Sequence, residues 1–430
     1  MNYFRQLYYD MRHQKVTTWV SVSGTALSIF LVLVFFMVQQ VKIVGVAPET
    51  NRERILIGGS LDIHAFKDGR EIWTQSGAMS YKIARQMYGN LDGIEMVAYT
   101  NAWTESYEVG ESANNSTSLI GKITDAAFWN MYDFKFISGS PYNEASCESG
   151  DKKVVLSRTA ARKMFKKEDV AGQPVYVNSV PYIVCGVVDD VSPLLKATYS
   201  DIYLPLGPEQ REVNDYFGDI MVLLLMKPGV KEQNIKKQME EMYVKFNSSL
   251  ADQNLVAVNH EGPHNSEVFS NDMAFSNRTP DLSIAHRETY ILYCLLLLLP
   301  AINLSSMMRG RLRSRVSEIG VRRAFGAKRS GIIMQILGEN MVVSILGGII
   351  GLVVSILFML FLSSFFFSYG VESNSLEMNY SNPTFMMLFK WKNFVIALCA
   401  CVVLNILSAS VPAWIASRVE PALAISKSRA

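Results

Sequence analysis

Residue types that commonly carry out chemistry are few in this 430-residue sequence, and their spacing suits neither catalysis nor metal binding. The histidines are His13, His64, His260, His264 and His286. None belongs to an H-E-x-x-H motif, which would place two zinc ligands on one helical face. His260 and His264 are four residues apart, but the intervening Gly262 and Pro263 disfavour a helix. We therefore predict that both lie in loops.

The 430-residue sequence also contains no nucleotide-binding loop of the P-loop type. The sequence contains no G-x-x-x-x-G-K-[ST] motif, the device by which P-loop ATPases bind the phosphates of ATP. We predict that the chain is not an enzyme and holds no cofactor or metal of its own. The cysteines show no zinc-type spacing, and the sequence leaves open whether Cys147 and Cys185 form a disulfide, because spacing does not supply the geometry.

The stretch SEIGVRRAFGAKRSGIIMQILGEN, residues 317–340, is the strongest candidate for a functional surface. Small and apolar residues recur in its first part with a helical period, and Gly326 suits the left-handed residue that ends a helix. We predict a helix over about 316–325 that presents small residues and positive charge to the cytoplasm, as docking into another protein's groove requires. The alternative is an anchor that contacts only lipid head groups. The candidate residues are Glu318, Ile319, Gly320, Arg322, Arg323, Ala324, Gly326 and Ala327.

Four stretches without charged residues are long enough to cross a bilayer as helices: Val16–Val41, Thr289–Met308, Asn340–Val371 and Asn393–Ser417. We predict a membrane protein with four transmembrane α-helices and a large α+β periplasmic domain inserted between helices 1 and 2. The predicted order is a cytoplasmic amphipathic helix (1–15), transmembrane helix 1 (16–42), the periplasmic domain (43–287), transmembrane helix 2 (288–308), a cytoplasmic loop (309–329), transmembrane helix 3 (330–368), a short periplasmic loop (369–392), transmembrane helix 4 (393–417) and a cytoplasmic tail (418–430).

Orientation follows from the distribution of Lys and Arg. The loop 309–329 carries eight of them, and loops rich in Lys and Arg stay in the cytoplasm. Both termini are therefore predicted to be cytoplasmic. The first apolar run is longer than the core of a signal peptide, which favours a membrane anchor over a cleaved leader.

The polar part of the chain alternates strands and helices, which predicts helices covering a sheet. Residues 218–258 predict a strand, a Pro-Gly turn, an amphipathic helix and a strand, and residues 79–101 predict a helix and then a strand. Ser157 is placed to cap a helix over Arg158–Phe165. Two strands around an Asn-Ser turn follow, and we predict a subdomain inserted over about 111–204.

Small residues in the apolar runs predict close helix packing. Gly347, Gly351 and Ser355 recur every four residues, Gly348 lies beside them, and Gly24 and Ser28 form a similar pair in the first run. The pattern leaves open whether this packing is static or changes during a working cycle. Three further residues are candidates for a membrane function: Pro300 and Asn303, which predict a kink, and Glu339, which is either a functional acid within the membrane or an interface residue.

The segments EIGVRRAFGAKRSGII, GEN and LGGIIGLVVS together resemble the signature of FtsX/MacB-type permeases of ATP-binding cassette (ABC) transporters. PAWIASRVEPALAI, near the end, resembles that family's last transmembrane helix. TDAAFWNMYDFKFISGSPY and VVLSRTAARKMF resemble its MacB-like periplasmic core domain. The resemblance covers most of the chain, and the order of the helices fits it.

The resemblance implies that the charged loop holds a coupling helix that seats on an ATPase. MacB carries its ATPase on the same chain, whereas these residues hold none, so the expected partners are an ABC ATPase subunit that binds ATP and Mg²⁺ and a second permease copy or paralogue in a dimer. A periplasmic adaptor or outer-membrane component is a further expected partner; nucleic acid is not. The implied function is mechanotransmission that drives efflux of peptides, toxins or other substrates from the bacterial inner membrane. The alternatives are a lipoprotein-extracting permease and a transmembrane sensor or scaffold without transport.

Overall fold

The computed structural model describes residues 15–41, 45–112, 115–193, 195–271, 279–284, 286–296, 298, 302 and 316–367, and short stretches between 394 and 415. The chain forms two compact units. We call residues 41–282 with 364–383 the α+β domain, and residues 1–40, 283–363 and 384–430 the helical unit. Several predictions lie outside the described residues: the amphipathic helix up to residue 14, the kink at Pro300 and Asn303, the loop 369–392 and the tail 418–430.

The α+β domain is built on a 15-stranded sheet. Its strands are β1 (Ile55–Gly58), β2 (Ser60–Lys67), β3 (Arg70–Met79), β4 (Ile94–Asn101), β5 (Glu105–Ser112), β6 (Asn115–Thr124), β7 (Phe136–Gly139), β8 (Lys153–Ser157), β9 (Pro174–Val177), β10 (Val180–Val188), β11 (Ile202–Pro205), β12 (Phe217–Gly218), β13 (Ile220–Met226), β14 (Leu255–Val258) and β15 (His264–Asn265). The main path runs β11-β8-β10-β9-β5-β6-β4-β13-β3-β2-β14, and β1 pairs with β13 and β15.

The helices of both units follow the apolar periodicity of the sequence. They are α1 (Lys15–Val41), α2 (Tyr81–Tyr88), α3 (Ala126–Met131), α4 (Glu144–Ser149), α5 (Arg158–Phe165), α6 (Pro208–Arg211), α7 (Glu232–Leu250), α8 (Ser266–Ser270), α9 (Val316–Ala324) and α10 (Arg329–Phe367). Short 3-10 turns lie at Arg52–Arg54 and Ala251–Gln253. In the helical unit, residues 283–284 and 286–296 are also helical.

The core of the α+β domain lies on both faces of its sheet. All seven residues of β13 are buried, as expected for a continuous apolar run between covered faces. On one face, α7 buries Ile235, Met239, Tyr243, Phe246 and Leu250, which recur at helical spacing and form one stripe. A second cluster contains Phe128 and Trp129 of α3 with Tyr203 of β11.

Local predictions for this domain are confirmed. The predicted strand, turn, helix and strand over 218–258 are β13, α7 and β14, and the predicted helix and strand over 79–101 are α2 and β4. Ser157 caps α5, because its hydroxyl accepts a hydrogen bond from the Ala160 N–H at 3.1 Å. Asn178 and Ser179 form the turn between β9 and β10 with φ of 47° and 66°, the left-handed values of a two-residue hairpin.

The segment predicted as an insertion, about 111–204, supplies β6 to β10 and most of β11. These strands continue the same sheet: β6 is antiparallel to β5, and β11 is parallel to β6. Cys147 and Cys185, both in this segment, are free thiols. Burial raises the pKa of the Cys147 thiol to about 12 and that of Cys185 to about 11.

The prediction that His264 lies in a loop is wrong. His264 belongs to β15 and is buried, because this short strand pairs with β1 at Ile57. Burial lowers the pKa of His264 to about 4, with the nearby Lys236 acting in the same direction. His260 lies after β14, and its Nε2 is 2.8 Å from Oδ2 of the buried Asp62.

Among the described residues of the helical unit, α10 contains one stretch that is long and apolar enough to span a membrane, Arg329–Phe361. A shorter apolar stretch, Val22–Val38, lies within α1. These stretches are identified as candidate spans by their length and composition only, so the count of four spans stays a prediction.

The buried His264 predicts a pH dependence of stability. Below about pH 6.5 the unfolded chain binds a proton at this position that the folded domain does not bind until about pH 4, so stability falls as the pH falls through this window. His264→Gln has no imidazole to protonate, so its free energy of unfolding should fall by up to about 3 kcal/mol less than that of the wild type across this window. Denaturant unfolding of both proteins between pH 4 and 7 measures it, and identical pH profiles would contradict the prediction.

Candidate functional site

The predicted helix over about 316–325 is present as α9, and it ends where the glycine was expected. Gly326 has a φ of +90°. Its N–H donates to the carbonyl oxygen of Arg323 at 3.1 Å, and the Ala327 N–H donates to that of Arg322 at 3.0 Å. These two bonds satisfy the last carbonyls of the helix. The chain then turns into α10 at Arg329, so a short loop joins the two helices.

Apolar packing fixes α9 against the first turns of α10. Ile319 is 8% exposed and forms a cluster with Ile332 and Ile336, and the partly buried Ile333 and Leu337 pack around it. Gly320 is buried as well. One face of α9 is therefore occupied by this chain itself.

A chain of hydrogen bonds, which we call the polar brace, supplements that packing. Nη1 of Arg322 donates to Oε1 of Gln335 at 3.0 Å. Nε2 of Gln335 in turn donates to Oε1 of Glu339 at 3.3 Å. Gln335 and Glu339 lie one turn apart on α10, where side chains four residues apart meet. The sequence left the role of Glu339 open; in the structure Gln335 connects it to Arg322 of α9.

The opposite face of α9 and the turn after it are exposed. Ala324 and Ala327 are exposed, and Phe325 is 88% exposed. Gly320, predicted on the docking surface together with Ala324, is buried, whereas Ala324 is exposed. Sequence reasoning missed Phe325, although it is the only aromatic residue between 317 and 340. Arg323 is half-buried, and the side chain of Glu318 is outside the described residues.

Small residues of α10 lie against α1. A Cβ at Gly347 would be 2.8 Å from Cβ of Thr25, and one at Gly351 would be 2.7 Å from the carbonyl oxygen of Ala26. A Cβ at Gly348 would instead meet the side chain of Leu398. Only glycine permits such a close approach of two helix backbones.

Hydroxyls near this contact are satisfied within their own helices. Ser28 is buried and donates to the carbonyl oxygen of Gly24 at 2.9 Å. Ser355 is buried and donates to that of Leu352 at 2.8 Å. Across the described part of the chain, no group of three His, Cys, Asp or Glu residues could hold a metal ion.

Comparisons with known families agree with this architecture. Residues 18–242 match the MacB-like periplasmic core domain, and residues 290–421 match the FtsX-like permease C-terminal domain. The macrolide export ATP-binding/permease protein MacB of Salmonella paratyphi A is 22% identical over 411 residues, which cover 90% of this chain and 59% of that protein. The ABC transporter permease YknZ of Bacillus subtilis is 23% identical over 264 residues, 61% of this chain and 62% of that protein.

The chain thus spans less than two thirds of the length of these two relatives. Among solved structures, the periplasmic region of MacB from Actinobacillus actinomycetemcomitans is 15% identical with a TM-score of 0.33, covering 51% of this chain and 94% of that one.

The close contact between α1 and α10 predicts opposite effects of one substitution at two positions. Gly347→Ala should destabilise the protein by about 1–3 kcal/mol, because the new methyl group clashes with Thr25. Gly331→Ala is the matched control on the same helix, where a Cβ meets nothing within 4 Å and the higher helix propensity of Ala is neutral or stabilising. Thermal unfolding in detergent compares them, and equal melting temperatures would contradict the packing.

Proposed function

This chain belongs to the family of FtsX/MacB-type ABC transporter permeases, and from that premise we propose that it converts ATP hydrolysis by an ATPase partner into movements of its α+β domain. In this proposal α9 is the coupling helix. The ATPase binds ATP and Mg²⁺, since these 430 residues contain no phosphate-binding loop. The chain works as a dimer with a second permease copy or a paralogue.

The observation that carries the proposal is the fixed attachment of α9 to α10. A helix that receives movement from a partner must pass it on without slipping. The cluster of Ile319, Ile332 and Ile336 supplies close packing, and the polar brace supplies directional bonds. Packed interiors deform little and therefore transmit displacement. Under this proposal Glu339 holds the coupling helix in place and does not bind a transported group.

The exposed face of α9 supplies the docking surface for the ATPase. Phe325, at 88% exposure, leaves a large apolar side chain in water, and fully burying such a side chain contributes about 1.5–3 kcal/mol. Interface hot spots are enriched in aromatic residues that enter a pocket of the partner. Ala324 and Ala327 beside it leave room for close approach, and Lys328 and Arg329 are exposed next to them, suited to acidic groups at the rim.

Permeases of this family are inner-membrane proteins with a periplasmic domain, and we propose that both termini and α9 lie on the cytoplasmic side. For the output we favour efflux of peptides, toxins or other small substrates. Two relatives support this choice over lipoprotein extraction, since one is named for macrolide export and another for pyoverdine export. An adaptor or outer-membrane component would complete such a system.

Removing the exposed ring tests the docking surface. Phe325→Ala should weaken ATPase binding about 10- to 100-fold, because a buried aromatic contact of this size is lost. Phe361→Ala is the matched control, since Phe361 is 77% exposed on α10 and far along the chain from α9. Binding is measured as recovery of the ATPase with tagged permease over a dilution series. Wild-type recovery with Phe325→Ala would show that the ATPase binds elsewhere.

A change in the polar brace separates binding from coupling. Gln335→Leu removes both hydrogen bonds of the brace but leaves the exposed face of α9 unchanged. We expect the ATPase to bind normally while ATP-dependent transport or resistance falls about tenfold, the effect of losing about 1.4 kcal/mol of coupling. The neighbouring Met334→Leu, at a position 69% exposed, is the control. Full activity with Gln335→Leu would mean that the brace has no role in coupling.

A further inference from the structure

The chain enters and leaves the α+β domain through two segments that lie side by side. We call residues 47–54 the leading segment and residues 264–271 the trailing segment. The leading segment runs into β1, and β15 of the trailing segment pairs antiparallel with β1, with Leu56 opposite Asn265 and Ile57 opposite His264. Displacement of either segment therefore acts on the same short ladder.

Arg52 of the leading segment joins it to the trailing segment twice. The residue is only 3% exposed, although it carries a guanidinium. Its Nη2 donates to Oγ of Ser270 at 2.8 Å, and its carbonyl oxygen accepts from Oγ of Ser266 at 3.0 Å. Both serines belong to α8. The side chain and the main chain of one residue thus hold the helix with which the trailing segment ends.

Glu49 extends these contacts to a third part of the domain. It is 2% exposed, and its Oε2 lies 3.4 Å from Nε of Arg52. Its Oε1 accepts from Oγ1 of the buried Thr198 at 2.9 Å. Thr198 lies four residues before β11, and its carbonyl oxygen accepts from the Tyr203 hydroxyl at 2.7 Å. β11 pairs with β6 and β8 and lies at the opposite end of the main strand order from β14. The contact therefore extends to that end of the sheet.

The burial of this ion pair requires an explanation other than stability. Withdrawing two charges from water costs about as much as their attraction returns, so apolar residues of similar size often stabilise a fold equally well. Burial raises the pKa of Glu49, and Arg52 opposes that effect. The best-attested use of a buried charged pair is to fix one arrangement of the segments around it. Here the arrangement joins three segments that are distant in sequence.

We propose that Glu49 and Arg52 form a joint that makes the leading and trailing segments move as one body and passes their displacement through Thr198 to β11. This inference rests on the proposed function, because it assumes that ATP-driven movement reaches the domain through these two segments. Glu49 and Arg52 are positioning residues in this joint: they contact no substrate and act through Thr198 and α8. The bonds made by Arg52 hold the leading segment and α8 together. The hydrogen bond from Thr198 to Glu49 then passes their shared displacement to the residues before β11.

The test uses the full chain with its ATPase in nanodiscs and reads hydrogen–deuterium exchange before and after addition of ATP. In the wild type, ATP should change exchange at 316–328, where the ATPase docks, and at 195–205, the segment that contains Thr198 and receives the displacement from the joint. The variant Glu49→Met/Arg52→Met replaces the buried pair by apolar side chains of similar length, an exchange that is often neutral or stabilising for a fold. In this variant the change at 316–328 should remain, and the change at 195–205 should fall at least about tenfold, the loss expected from about 1.4 kcal/mol of coupling.

A matched control is the Glu144→Met/Arg211→Met variant, which removes another ion pair of the same domain, 2.8 Å between Nη2 of Arg211 and Oε1 of Glu144. It should leave both ATP-dependent changes intact. An unaltered change at 195–205 in the Glu49→Met/Arg52→Met variant would overturn the joint alone. No ATP-dependent change at 316–328 in the wild type would overturn the proposed function, and the joint with it.

A second set of variants covers the case in which that double variant does not fold. Thr198→Val and Ser270→Ala each remove one hydrogen bond at opposite ends of the joint. If the joint works as one unit, each alone should suppress the change at 195–205, and their combination should suppress it no further. Independent sites instead give additive effects, and additivity here would overturn the joint.

Discussion

The contact between α1 and α10 is the constraint on which the helical unit depends. Within a bilayer, apolar side chains gain little by leaving lipid, so two helices associate mainly through close van der Waals contact. Gly347 and Gly351 permit that contact, because any side chain there would overlap Thr25 or the backbone of Ala26. Along the chain, α10 begins directly after α9, and α1 directly precedes the α+β domain.

As the proposed coupling helix, α9 has to meet two opposing requirements with its two faces. Its inner face must be held by the permease, and Ile319 meets that requirement by packing against Ile332 and Ile336 of α10. Its outer face must stay available to a partner, and the exposed Phe325 meets that one at the cost of an apolar ring in water. The left-handed backbone of Gly326 ends the helix directly after Phe325, whose N–H still donates to the carbonyl oxygen of Val321 at 3.1 Å.

The α+β domain shows the same division between packing and positioning. Apolar residues of β13 and α7 supply most of its burial, and many apolar sequences would supply as much. Glu49 and Arg52 add little to that burial but fix which segments meet. Under the proposed function the domain is moved from outside and needs both properties, since a stable core without fixed junctions would absorb the displacement locally.

The sequence by itself determined the features that depend on neighbours within one or two turns of chain. Helical period and the length of apolar runs predicted α7, α9 and α10, and single residues such as Ser157 and Gly326 predicted where helices begin and end. Motifs that are each continuous in sequence, around 317–340 and elsewhere in the chain, indicated the family, and the family models confirm it. The number of membrane spans and the edges of the inserted segment were predicted from composition alone.

Only the tertiary structure decided which faces are buried and which distant residues meet. Periodicity grouped Gly320 with Ala324 but could not show that the first is buried and the second exposed. His264 was predicted in a loop because Gly262 and Pro263 disrupt helices, whereas its partner strand lies more than 200 residues earlier. The contact between Glu49 and Thr198 crosses 149 residues. Such pairings depend on how the whole sheet is ordered, and no local pattern of residue types specifies that order.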